Sequence, residues 1–160
     1  MSSHSVVRTF KDLIVWQRAF ELVIAVYRAT DALPVHERYG LTAELRKTAR
    51  SVAYNVAEGH RRASTAEYVR FLDIARGSVA ELETQFLLGH ALGYLEQKVW
   101  TTLLDRLGDI DRMLAALVRK LKHRSIRVPT SLPALPLPLD SSIPRPPDDA
   151  PARRNLRKSS

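Results

Sequence analysis

The chain has 160 residues, 45% of them apolar, which suits one domain with one hydrophobic core. Its 25 Lys and Arg against 17 Asp and Glu leave a formal charge of +8, a balance that points to an anionic partner, nucleic acid first. Cysteine is absent, which excludes disulfides, thiolate nucleophiles and sulfur-bound zinc.

Residues 1–10, beginning MSSHSVVRTF, lack the apolar stretch of a signal peptide and are expected to be a flexible start. No apolar run is long enough for a membrane-spanning helix, so no membrane partner and a cytoplasmic setting are expected. The first periodic segment covers residues 11–32. Leu13, Trp16, Phe20, Val23 and Tyr27 recur in steps of three and four, which predicts one apolar helical face. Asp12 near its start suits the positive end of the helix dipole. Pro34 ends it, because its ring disfavours helix in the residue before.

The second segment runs from Leu41 to His60, with the stripe Leu41, Leu45, Ala49, Val52 and Val56. Many of its residues are small, which allows another helix to approach closely, and Gly59 reads as its C-cap. Ser64-Thr65-Ala66-Glu67 is a capping-box pattern, in which each of Ser64 and Glu67 bonds the other's amide and starts helix three. Tyr68, Phe71, Ala75, Ser78, Leu82 and Phe86 form its stripe, and Gly93 stops it. The fourth segment covers residues 96–123. Leu103, Leu107, Ile110, Leu114, Leu117 and Leu121 make a heptad seam. Short loops between amphipathic helices predict an all-α, antiparallel, up-down-up-down four-helix bundle over residues 11–123. Residues 124–160 hold eight of the nine prolines and no glycine or aromatic residue, and are expected to be a disordered basic tail.

No catalytic or metal constellation is visible. The histidines His4, His36, His60, His90 and His123 show no paired ligand spacing, and no glycine-rich phosphate loop or nucleophile elbow is present. Arg119 and His123 are too close for the Arg–His motif of HEPN-type helical nucleases. No enzyme activity, cofactor or metal is expected. The feature that stands out is basic: Arg46, Lys47, Arg50, Arg61 and Arg62, on helix two and its exit, could follow a phosphate backbone. The competing reading is local salt bridging. A tight turn near residue 63 would put Arg46 and Lys47 beside Glu81, and Arg50 beside Arg76 and Asp73. Asn55 and Glu58, polar beside the apolar stripe, read as half-buried hydrogen-bonding groups that set helix register. Trp16, Trp100, Phe86 and Tyr54 read as core or interface residues.

The runs FKDLIVWQRAFELVIAVY (10–27), PVHERYGLTAELRKTARSVAYNVAEGHRR (34–62) and EYVRFLDIARGSVAELETQFLLGHALGYL (67–95) carry a further signal. Their cues are Asp12-Leu13 with Val15-Trp16, Ser51-Val52 with Asn55 to Gly59, and Gly77-Ser78 with Glu81-Leu82. Over residues 8–122 the chain resembles the four helix bundle protein family, bacterial proteins encoded within intervening sequences of 23S ribosomal RNA genes. The resemblance implies a ring-like homopentamer of four-helix bundles. It also implies likeness to the accessory variability determinant of diversity-generating retroelements, which works with a reverse transcriptase and binds RNA and DNA through basic surface. On that analogy Arg46, Lys47, Arg50, Arg61 and Arg62 would contact nucleic acid. Ile24, Leu87, Leu88, Leu104 and Val118 lie off the main seams, and a ring would cover them. A protein-binding scaffold without nucleic-acid contact is the alternative reading.

Overall fold

The computed structural model describes residues 7–126. The tail expected from residue 124 begins instead as the last residues of the fourth helix, which reaches Ile126, and the rest of that segment lies outside the described residues. A 3-10 turn at Phe10–Asp12 leads into four helices: α1 (Ile14–Thr30), α2 (Leu41–His60), α3 (Thr65–Ala91) and α4 (Gln97–Ile126). A second 3-10 turn, Val35–Glu37, joins α1 to α2. Each helix packs against its neighbours in sequence, and α1 closes the bundle against α4. The diagonal pairs stay apart, so the result is the antiparallel four-helix bundle that the periodicity predicts. None of its helices is long and apolar enough to cross a membrane.

The helix ends follow local chemistry. Asp12 accepts from the amides of Arg8 and Thr9, both at 2.9 Å, and so ties down the entry turn. These two bonds, Thr9 first, hold its carboxyl below the usual carboxylate range. Gly40 stands at the N-cap of α2, and the Glu37 carboxylate satisfies its first turn by accepting from the Leu41 amide at 2.9 Å. At α3 the Ser64 hydroxyl accepts from the Glu67 amide at 3.2 Å. Both residues are solvent-exposed, and of the two capping-box bonds this one is formed. At the other end Gly93 takes φ +74. Its amide donates to His90, and that of Tyr94 to Gly89, which is a Schellman stop.

The core corrects the predicted stripe of α1. Val15, Ala19, Leu22 and Val26 are the buried apolar residues, one position before most of the predicted set. Phe20 and Tyr27 lie on the surface, while Leu13, Trp16 and Val23 pack half-buried at the edge of the core. Both rows are apolar, and the inner one is chosen because Ala19 lets the helix approach its neighbours while the bulky rings stay at the rim. The stripes of α2 and α3 agree with expectation, although Tyr68 and Phe71 are only half-buried and Leu72 is fully enclosed. On α4, Leu103, Leu107, Ile110 and Leu114 are buried, but Val118 then replaces Leu117 and Leu121 as the inner residue.

Gly59 is not a C-cap. It lies inside α2, fully packed, and a Cβ there would come within 2.8 Å of Phe71 Cβ and 2.9 Å of the Tyr68 ring. The glycine therefore sets how closely α2 and α3 approach.

Candidate nucleic-acid interface

The small residues of α2 bring α3 close enough for hydroxyl bridges between the helices. Ser51 Oγ meets Ser78 Oγ at 2.9 Å, and Asn55 Nδ2 donates to the Ser51 carbonyl and hydroxyl at 2.8 and 3.1 Å. Asn55 thus sits in a half-buried polar chain, but both of its bonds stay within α2, and the link to α3 is made by Ser51 and Ser78. Glu81 accepts from Thr48 at 3.1 Å and from Gln85 at 3.3 Å. The predicted pairing of Glu81 with Arg46 or Lys47 does not form, because the true register brings Thr48 opposite it.

That register redistributes the basic residues. Arg46 turns toward α1. Its Nε donates to Thr30 Oγ1 at 2.8 Å, its Nη2 pairs with Asp31 at 2.8 Å, and the guanidinium lies 4.7 Å from the centre of the Tyr27 ring. A cation is favoured there because the last carbonyls of α1 leave a negative helix end. Arg62 is also engaged, in an ion pair with Glu58, and it stacks over Phe71 at 4.6 Å. Glu58 is exposed and bonds within its own helix, so it does not set the register between helices. The expected meeting of Arg50 with Arg76 and Asp73 also fails. Arg76 binds Asp111 of α4 at 3.0 Å, and Arg50 donates to the Tyr27 hydroxyl.

Among the described residues Lys47, Arg50 and Arg61 have no carboxylate within ion-pair distance. Their spacing puts them on one face of α2, and Tyr54, 65% exposed, stands between Arg50 and Arg61 on the same face. Tyr54 therefore lies outside the core of the bundle, and its position opposite the buried stripe was the available signal. Trp16 and Trp100 are half-buried and Phe86 is buried.

Arg61 ends this row and also lines a hollow of ≈ 370 Å³ together with Arg8, Thr9, Phe10, Lys11 and His60. A second, larger groove of ≈ 630 Å³ between α1 and α4 mixes Arg28, Lys98 and Arg106 with Glu21 around an apolar floor. His36, His60 and His90 each pack on an aromatic ring: Tyr94, Tyr68 and Trp100 respectively. Among the described residues no three His, Asp or Glu side chains gather as a metal ion would require.

Comparison with known proteins agrees with this architecture. The family model described as 23S rRNA-intervening sequence protein matches residues 11–116. A solved structure from Bacteroides thetaiotaomicron, a protein of unknown function from the S23 ribosomal protein family, is similar with a TM-score of 0.62. It is 16% identical, and the match covers 66% of this chain and 96% of that one. No curated protein matches the chain.

Proposed function

The chain belongs to the 23S rRNA-intervening sequence protein family, and from that premise we propose that it is a cytoplasmic, non-catalytic, homo-oligomeric accessory protein that binds nucleic acid by charge. One observation carries this reading: Lys47, Arg50 and Arg61 share a face of α2 without carboxylate partners, with Tyr54 among them. Such a row can follow a phosphate backbone, releasing counterions as it binds, while an aromatic ring offers a surface for a base. Arg46 and Arg62 hold the fold together and contribute less. Self-association is supported by apolar side chains that the bundle leaves outside. Ile24, Leu87 and Leu88 are 39%, 47% and 49% exposed. Leu104 is half-buried and Val118 buried, so those two belong to the bundle itself. A reverse transcriptase as working partner is suggested only by the resemblance to the retroelement accessory protein, and co-purification of the two proteins tests it.

The central test is fluorescence anisotropy of labelled structured RNA and duplex DNA, from low to physiological salt. Affinity is expected to fall linearly on a log–log plot. Changing Lys47, Arg50 and Arg61 to Ala should reduce the slope by about one for each phosphate that is no longer neutralised. Arg62→Ala should leave the slope nearly unchanged. Salt-insensitive binding, or a triple variant that binds like the parent, overturns the proposal. Absence of binding at low salt favours the protein-scaffold alternative.

A further inference from the structure

The hollow at the start of α1 differs from the row on α2 because it joins cations to a continuous aromatic surface. Arg8 and Lys11 of the entry turn converge there on His60 and Arg61 at the end of α2. No acidic side chain among the described residues lines the hollow itself. Asp12 accepts from the Arg8 and Thr9 amides, and Glu58 pairs with Arg62. Among the described residues Arg8, Lys11 and Arg61 have no ion-pair partner, so the hollow keeps a net positive charge.

Phe10 forms one wall of the hollow and begins a ladder of rings. It meets Trp16 edge-on with centroids 5.0 Å apart, and Trp16 stacks on Phe20 at 5.2 Å with 19° between the planes. Phe20 is 48% exposed at the far end. The exposed part of this side chain, next to the stack, is available to another flat group.

We propose that this hollow seats a phosphate of a single-stranded nucleic acid, and that the adjoining bases stack on the Phe10–Trp16–Phe20 ladder. The proposal rests on the nucleic-acid reading above and adds to it the form of the ligand. Bases in a duplex have their faces covered, whereas those of a single strand are free to stack on side chains. Charge alone favours any polyanion. Charge beside an open aromatic stack favours a strand whose bases are free.

The test uses the full chain, with fluorescein-labelled oligo(dT) and oligo(U) strands and a duplex of equal length, at one fixed salt concentration. Phe20→Ala should weaken strand binding roughly tenfold and duplex binding less than about twofold. Phe20→Tyr should restore it. The double change Arg8→Ala with Lys11→Ala should weaken strand binding and reduce its salt slope. In a Trp100→Phe background the remaining Trp16 should be quenched by the strand but not by inorganic polyphosphate, which has no bases. Equal losses for strand and duplex, or Phe20→Ala binding like the parent, overturn the proposal. So does a change of oligomeric mass in Phe20→Ala at unaltered thermal stability, which would assign the ladder to contact between copies. In those cases duplex binding by the parent still stands. If the parent binds neither strand nor duplex at low salt, the wider nucleic-acid reading fails as well.

Discussion

Tyr68 shows how much a single buried atom can matter. Its ring packs against Gly59 and edge-on to His60, but its hydroxyl is buried with no hydrogen-bond partner among the described residues. Burial raises its pKa above the usual 10.0. The folded state therefore holds this proton more tightly than the unfolded chain does. The resulting stability is fully present below pH 10.0 and is lost as the pH rises through the raised value. Tyr68→Phe keeps the ring and removes the unpaired group, whose burial costs about 1–3 kcal/mol. Thermal melts should show Tm unchanged or higher near neutral pH, and a smaller loss above pH 10. A clearly lower Tm at neutral pH would mean that the hydroxyl has a partner after all. Arg46 makes the complementary point. It is indistinguishable from Lys47 by composition, yet it closes the end of α1 through Thr30 and Asp31 while Lys47 faces solvent.

The glycines separate the demands made on helices. Gly59 and Gly77 both lie inside helices, and composition treats them alike. At Gly59 a methyl group would press on Phe71 and Tyr68, whereas at Gly77 it would meet nothing within 4 Å. Gly59→Ala should therefore destabilise by about 1–3 kcal/mol through overpacking. Gly77→Ala should stabilise by about 0.5–1 kcal/mol through helix propensity alone. Denaturant unfolding of the two variants checks both signs, and equal shifts would refute the proposed close approach of α2 and α3. The start of α3 was legible because a cap depends on residues three apart, and Ser64 and Glu67 form that bond. The inner row of α1 was not. Apolar residues occupy both Val15–Ala19–Leu22–Val26 and the neighbouring Trp16–Phe20–Val23–Tyr27, and periodicity does not rank two adjacent stripes.

On the scale of the whole molecule, apolar surface remains on α1 and α3 after the bundle has closed. A variant carrying Leu87→Glu and Leu88→Glu should lower the mass measured by light scattering while leaving the helical content intact, since both side chains are about half exposed. An unchanged mass, or a parent protein that is already monomeric, would remove self-association through this face. Sequence alone determined the number of helices, their approximate limits and the antiparallel bundle, because these depend on local period, capping and loop length. It also singled out α2 as the basic element. Only the tertiary structure decided which of those bases hold the fold and which face outward. A pattern places Arg46 and Lys47 within one turn of each other, but the ends of α1 and the register of α2 on α3 determine their partners. For the same reason the hollow between Arg8, Lys11 and Arg61 is invisible in the sequence. Its two sides lie some fifty residues apart in the chain, and long-range packing alone brings them together.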